Sequence, residues 1–221
     1  GPIERPDNLL PQFREKKSFD YCRVADGLKL MVWGLFKKIV IADRLSILVN
    51  QVYNHSDQYH GWPVILATYF FSVQIYCDFS GYSDIAIGAA QVMGIRLMTN
   101  FKRPYYAQSI SEFWKRWHIS LSSWFRDYLY ISLGGNRVLK WRWYFNLFFV
   151  FLVSGLWHGA NWTFVVWGAL HGFYLLCSIW TEGLRNRISG FFMLERVPRF
   201  RAFLKAFITF HLVTFSWIFF R

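Results

Sequence analysis

Long apolar segments separated by basic stretches constrain this 221-residue chain more than any other feature. Five of them can enter or cross a bilayer: Leu28–Ala42, Trp62–Cys77, Trp143–Trp157, Trp162–Trp180 and Phe203–Phe220. Such segments form helices, because a helix satisfies its backbone polar groups internally where no water is present. Several are shorter than the roughly 20 residues of a straight span, so tilted, interrupted or re-entrant helices are expected. The sequence predicts an all-α fold, a polytopic membrane helical bundle with interfacial or re-entrant amphipathic helices.

The composition and charge also favour a membrane protein. Hydrophobic residues make up 54% of the chain and charged residues 17%, against roughly 25% charged in a typical soluble domain. The net charge of +12 comes largely from Arg96–Arg142 and Arg185–Lys205, which we expect on the cytoplasmic side, whereas Asn50–Trp62 has no Lys or Arg. No zinc-finger spacing or RNA-recognition motif is present, so a nucleic-acid partner is not expected.

The segment that begins at Ser109 has the periodicity of one amphipathic helix. Its apolar arc comprises Phe113, Trp114, Trp117, Leu121, Trp124, Phe125 and Tyr128. Ser109 and Glu112 form a capping box at the start, and Gly134-Gly135-Asn136 is a stop signal. Such a helix lies in the membrane surface or covers a cavity between spans. His118, at the edge of the apolar arc, favours more than a passive surface role.

Two histidines in glycine-flanked apolar segments are the first candidates for chemistry. His158 follows Gly155 and precedes Gly159, and His171 lies in the matching frame of Gly168 and Gly172. Burial would keep an imidazole neutral and able to accept a proton, but either ring could equally serve only as a hydrogen-bonding group between helices. Because both glycine pairs flank one short hairpin, we expect them to pack against each other.

The remaining polar candidates favour structural roles. Asp78 and Asp84 end an apolar run, and helix capping is the simplest explanation for Asp84. His211 is predicted to be structural, and a buried Cys77 is expected to be inert. The other isolated side chains are His55 and His60 in a predicted outer loop, and Cys22 and Cys177. The cysteines are too scattered for a disulfide framework or a metal cluster, so no metal centre is predicted.

Signature motifs of common soluble enzymes are missing from the sequence. It contains no His-Glu-x-x-His, no Gly-x-Ser-x-Gly, no Walker loop and no Gly-x-Gly-x-x-Gly. A zinc protease, a serine hydrolase or a nucleotidase is therefore not expected.

Four motifs resemble the membrane-bound O-acyltransferase family, in particular its bacterial alginate O-acetyltransferase branch. They are Phe113–Ser122, Arg126–Tyr130, Gly134–Arg137 and Ser154–Gly159. The resemblance is dense from Gly1 to Gly172 and continues more weakly to the end. Gly1-Pro2-Ile3 also fits, which favours native sequence over a protease scar. The resemblance implies that residues 1–221 are part of one acyltransferase domain, and we expect further helices on both sides of it.

The resemblance also implies a function and a set of site residues. His158 corresponds to the family's catalytic histidine, and His118 to its second active-site polar position. The implied activity is transfer of an acetyl group from a cytoplasmic thioester, with acetyl-CoA as the expected donor substrate, across the bacterial inner membrane. The implied acceptor is an alginate-like exopolysaccharide or a periplasmic acetyl-transfer partner protein. No bound cofactor is expected.

The basic residues near His118 in the sequence have two possible roles. Lys115, Arg116 and Arg126 could hold the phosphates of the donor. Binding of lipid headgroups explains the same residues equally well.

Two other functions stay open at this level. The neighbouring branch of the family transfers D-alanine to teichoic acid. A non-enzymatic polysaccharide export component would instead use the histidines in a proton path, although no inverted repeat is visible. The polymer, the immediate donor and the oligomeric state are not determined by the sequence.

Overall fold

A computed structural model describes residues 2–221, which form helices and loops and contain no β-strand. The α-helices are α1 (Pro6–Arg14), α2 (Tyr21–Leu35), α3 (Asp43–Tyr53), α4 (Trp62–Val92), α5 (Ile110–Trp114), α6 (Ile119–Phe125), α7 (Lys140–His158), α8 (Trp162–Trp180), α9 (Glu182–Phe191) and α10 (Pro198–Trp217). Two π-helical segments, Phe36–Ala42 and Arg126–Tyr130, and three short 3₁₀ segments complete the secondary structure. The predicted all-α fold is confirmed.

The helices form two compact units. The first unit comprises the chain up to Lys102 together with His118–Leu121, and the second comprises Arg103–Trp117 and Ser122–Arg221. Each unit has its own packed core and is described separately below.

Close backbone contact between α2 and α4 organises the first unit. Gly27 and Gly34 on α2 lie against Gly88 and Gly81 on α4, and the two glycines of each helix are spaced seven positions apart. A Cβ atom on Gly34 would lie 2.6 Å from the carbonyl oxygen of Gly81, which is closer than packed atoms allow. These four positions therefore require glycine for the two backbones to meet.

A tight hairpin of α7 and α8 organises the second unit. Gly155 and Gly168 meet at their Cα atoms, and a side chain on either would overlap the backbone of the other helix. The Asn161 side chain caps α8 by accepting a hydrogen bond from the Thr163 amide (3.1 Å). The expected packing of the glycine pairs is confirmed for Gly155 and Gly168, whereas Gly159 lies against Phe164 and Gly172 against Phe148.

Among residues 2–221, three helices are long and apolar enough to cross a membrane. The predicted span Trp162–Trp180 coincides with α8, whereas the other two extend further than predicted, over Trp62–Val92 and Pro198–Phe220. The predicted segments Leu28–Ala42 and Trp143–Trp157 are helical but fall outside this set. Lysines interrupt the first within its π-helical segment, and Lys140 and Arg142 open the helix that contains the second.

The prediction of a single amphipathic helix after Ser109 is wrong, because the helical structure is interrupted between α5 and α6. Its start is as predicted, since the Ser109 hydroxyl accepts a hydrogen bond from the Glu112 amide (3.1 Å). The break lies at His118, whose φ of +43° is left-handed. The carbonyl oxygen of Asn100 accepts the Ile119 amide hydrogen bond (2.9 Å) in place of a carbonyl of the same helix. A tertiary contact thus overrides the helical periodicity.

The predicted stop signal of that segment is confirmed. Gly134 and Gly135 both have positive φ, +93° and +56°, a conformation that glycine adopts at low cost. The Gly135 amide donates back to the carbonyl of Tyr130 at the end of the π-helical segment (2.9 Å).

Candidate active site

His158 ends α7 in a largely aromatic environment in the second unit. Its imidazole meets Trp167 edge to face, with centroids 5.1 Å apart, and Phe220 at 4.9 Å. Trp157 and Phe164 complete the surrounding rings. Within residues 2–221, neither ring nitrogen of His158 has a hydrogen-bond partner. Apolar surroundings favour the neutral imidazole, so this ring is available to accept a proton.

His171, the competing candidate, is locked into the protein interior. It is fully buried, and its Nδ1 accepts a hydrogen bond from the Trp114 indole N–H (3.3 Å). Nε2–H therefore donates to the Ser216 hydroxyl oxygen (2.8 Å), and that hydroxyl donates to the carbonyl of Val213 (2.7 Å). Both ring nitrogens are occupied, so His171 joins α5, α8 and α10 and has no free position for a proton.

His118 lies in the first unit, at the break between α5 and α6. Its ring is buried and meets Phe79 edge to face, with centroids 4.5 Å apart. The left-handed backbone at His118 is an unusual conformation for a residue other than glycine, and such conformations are concentrated at functional sites. Its assignment as the second active-site polar position stays a prediction.

A buried asparagine beside His118 was missed by the sequence analysis. The Asn100 side-chain oxygen accepts hydrogen bonds from the Ser120 amide (3.2 Å) and the Ser120 hydroxyl (2.9 Å). Its amide nitrogen donates to the Ser83 hydroxyl on α4 (3.2 Å). Asn100 therefore fixes the backbone around His118. Nothing in the local sequence marks it, since its partners are 17 and 20 residues away.

The acidic groups of α4 pair with lysines of the π-helical segment Phe36–Ala42. Lys37 Nζ lies 2.7 Å from the Asp84 carboxylate and 3.0 Å from the Ser80 hydroxyl. Lys38 pairs with Asp78 (2.5 Å) and with Asp43 (3.0 Å). The expectation that Asp84 caps a following helix is wrong, because α4 continues to Val92 and the carboxylate instead neutralises a buried lysine.

The residues predicted to hold donor phosphates lie in the second unit. Arg116 pairs with Glu112 one turn earlier (2.5 Å), and Arg126 with the adjacent Asp127 (2.7 Å). Lys115 is exposed. Because the two arginines already face carboxylates, less positive charge is available for a phosphate ligand than the sequence indicated. Their role stays a prediction.

The loop after these arginines is anchored to α7 by polar contacts that the sequence did not reveal. The Trp143 indole N–H donates to the Tyr130 hydroxyl (2.9 Å), and burial raises the pKa of that phenol. Asn146, which is fully buried, donates to the carbonyls of Leu133 and Gly135 at 3.0 and 3.2 Å. These bonds give the loop a defined position on the helix that ends at His158.

The other histidines have local partners or are exposed. His211 and His55 each bond through Nδ1 to a carbonyl one turn earlier, that of Phe207 (2.7 Å) and that of Gln51 (3.0 Å). His60 is exposed. In the described part of the chain, no three His, Cys, Asp or Glu side chains are grouped as metal ligands. The half-buried imidazole of His158, with no hydrogen-bond partner in residues 2–221, is therefore distinct among the candidate histidines.

Comparison with known proteins identifies the class. Residues 1–220 match the model of the membrane-bound O-acyltransferase family, so the chain belongs to this family, as the sequence motifs predicted. Together with the three span-length helices in the described part of the chain, this membership makes it a multi-pass membrane protein.

Named relatives lie in several branches of the family. The chain is 44% identical to the probable alginate O-acetylase AlgI of Pseudomonas aeruginosa, covering all of this chain and 40% of the relative. It is 40% identical to a peptidoglycan O-acetyltransferase of Helicobacter pylori, with 41% of that protein covered. A teichoic acid D-alanyltransferase of Bacillus subtilis is 31% identical, with 57% covered. The chain thus spans about two fifths of the length of the two O-acetylating relatives.

Proposed function

We propose that the protein is an O-acyltransferase of the bacterial inner membrane that moves an acetyl group from a cytoplasmic thioester toward hydroxyl groups of an extracytoplasmic polysaccharide. The main support for this proposal is the environment of His158 at the end of α7. Its imidazole lies among aromatic rings, and neither of its nitrogens has a hydrogen-bond partner in residues 2–221. Family membership supports the reaction class.

The chemistry requires one proton acceptor near the two reacting groups. Nε2 or Nδ1 of neutral His158 takes the proton of the acceptor hydroxyl while its oxygen attacks the thioester carbonyl carbon. The carbonyl becomes a tetrahedral oxyanion, which collapses as the carbon–sulfur bond breaks. The leaving thiolate receives the proton from the imidazolium, which returns His158 to its neutral form. His118 is proposed as a second polar group that orients a substrate.

The acceptor class follows from the relatives' names. Those at 40 to 44% identity are named for O-acetylation of alginate or peptidoglycan, both of which offer sugar hydroxyls. Acetyl-CoA is the proposed donor, and a partner protein that carries the acetyl group further is an alternative acceptor. A site within the bilayer restricts water and so limits wasteful hydrolysis of the thioester.

D-alanyl transfer to teichoic acid is the second candidate. Two relatives with this name are 31% and 33% identical to the chain, and the first is matched over the whole of it. Lower identity than to the O-acetylating relatives makes it the weaker proposal.

Labelled donors in membrane vesicles separate the candidates. Membrane vesicles that contain the full-length protein are supplied with ¹⁴C-acetyl-CoA and with alginate or peptidoglycan fragments. Mass analysis then identifies the transferred group. We expect an acetyl ester on a sugar hydroxyl, formed by wild type and lost in His158→Ala. An alanyl ester on teichoic acid would favour the second candidate, and an ester that persists in His158→Ala would exclude His158 from the mechanism.

A further inference from the structure

Two buried indole N–H groups in the second unit lack an acceptor. Trp167 and Trp217 are each 1% exposed, and neither Nε1 has a hydrogen-bond partner in residues 2–221. Leaving a buried donor unpaired costs free energy, so such groups are rare in native proteins and call for an explanation. A ligand that supplies an acceptor is one explanation.

Only one of these two rings touches His158. Trp167 meets the imidazole edge to face, with centroids 5.1 Å apart and planes at 85°. The Trp217 ring stacks on Trp167 (5.9 Å, 22°) and, among the described residues, makes no contact with His158. Of the two unpaired indole N–H groups, the one on Trp167 is therefore on the ring that packs directly against His158, the proposed base.

The surroundings hold Trp167 rigidly. Its ring packs against Trp114, His171 and Phe220 at centroid distances of 4.9 to 5.7 Å. His171 is itself fixed by its hydrogen bonds to Trp114 and Ser216. The next residue along α8, Gly168, lies in backbone contact with α7, the helix that ends at His158. A donor in such a position is preorganised, which is the property that makes a donor effective toward a developing negative charge.

We infer that the Trp167 indole N–H binds the carbonyl oxygen of the acyl thioester and stabilises the oxyanion that forms when the hydroxyl attacks. This inference rests on the proposed function. It names the group that binds the thioester carbonyl oxygen in the same reaction in which His158 takes the proton of the hydroxyl. In the step, the carbonyl π electrons move onto the oxygen as the new carbon–oxygen bond forms. They return when the carbon–sulfur bond breaks. Trp167 keeps its own proton throughout.

The test removes the N–H and keeps the ring. The substitution Trp167→3-benzothienylalanine is introduced site-specifically into the full-length protein. It replaces the N–H by sulfur in a fused ring of nearly the same shape. The matched control is Trp217→3-benzothienylalanine, because Trp217 is equally buried and equally unpaired. The measurement is the acetyl-transfer rate from acetyl-CoA to alginate at saturating donor, with KM for acetyl-CoA and the thermal midpoint of each variant.

We expect the Trp167 variant to lose on the order of 10²-fold in maximal rate, the typical effect of deleting one oxyanion donor. Its thermal midpoint should stay near that of wild type, and the Trp217 variant should keep its rate. An unchanged rate in the Trp167 variant, or equal losses at both positions, would overturn the inference. If His158→Ala abolishes transfer while the Trp167 variant is fully active, only this inference fails. If His158→Ala is active, the assignment of His158 as the base fails, and a wild-type protein that forms no ester would overturn the proposed function.

Infrared spectroscopy supplies a readout that a structural role would not change. Acetyl-CoA carrying ¹³C at the carbonyl is bound to protein with His158→Gln, which prevents turnover. A hydrogen bond from Trp167 lowers the carbonyl stretching frequency. The added Trp167→3-benzothienylalanine change should therefore raise that frequency, and an unchanged frequency would contradict the assignment.

Discussion

The two histidines of the α7–α8 hairpin have the same glycine-flanked frame but opposite environments. His171 uses both ring nitrogens within the protein, whereas His158 uses neither. The sequence could not separate them, because the partners of His171 are 45 and 57 residues away. Hydrogen-bond satisfaction is thus the property that distinguishes a packing histidine from a candidate base here.

His171→Phe should reduce stability and spare the chemistry. The substitution keeps an aromatic ring but leaves the Trp114 N–H without its acceptor, at about 1–3 kcal/mol for a buried group left unsatisfied, while the Ser216 hydroxyl keeps its hydrogen bond to Val213. We expect a lower thermal midpoint in detergent, with acetyl transfer per folded molecule within a few-fold of wild type. A fully stable variant that has lost transfer would place His171 in the mechanism.

Asp84→Asn should destabilise the first unit, since it leaves the Lys37 ammonium buried without its counter-charge. Removing one partner of a buried ion pair costs roughly 3–5 kcal/mol, and the lower end applies because the Asp84 side chain is 24% exposed. The matched control is Asp26→Asn, which breaks the exposed pair with Lys29 and should cost no more than about 1 kcal/mol. Equal thermal midpoints for the two variants would show that the Lys37–Asp84 pair has no structural importance.

At the level of elements, local patterns predicted the helices well and their interruptions poorly. The apolar run Trp162–Trp180 and the capping box at Ser109 are local signals, and both are confirmed. Within α4, which continues to Val92, Asp84 and Asp78 pair with Lys37 and Lys38 of another element. The break at His118 depends on Asn100. Such tertiary partners leave no trace in the periodicity of the segment that they reshape.

Gly168→Ala should disrupt the α7–α8 hairpin that positions His158. The added methyl group would overlap the carbonyl of Phe151, and overpacking of this kind costs about 1–3 kcal/mol. Gly183→Ala is the control, because its Cβ meets no atom within 4 Å and alanine favours the helix. The thermal midpoint should fall only in the first variant. A midpoint of Gly168→Ala at or above that of wild type would show that the helices can separate without loss.

At the level of the whole molecule, the distribution of basic residues predicts the orientation in the membrane. Residues 50–62 should lie outside the cytoplasm and residues 185–205 inside it, by the positive-inside rule. The three native cysteines are replaced by Ser, and Gln58→Cys or Arg187→Cys supplies a single exposed thiol. An impermeant maleimide should label intact cells at position 58 and label position 187 only after permeabilisation. The reverse pattern would invert the proposed direction of acetyl transfer.

The central claim is that His158 takes the proton of the attacking hydroxyl, and the acetyl-transfer rate of His158→Gln tests it most directly. Glutamine is close in size but cannot act as a base, so the rate at matched folded protein should fall by about 10²–10⁴-fold. His211→Gln, which changes a histidine bonded through Nδ1 to the carbonyl of Phe207 one turn earlier, should leave the rate unchanged. A His158→Gln variant that transfers acetyl groups within a few-fold of the wild-type rate would contradict the account.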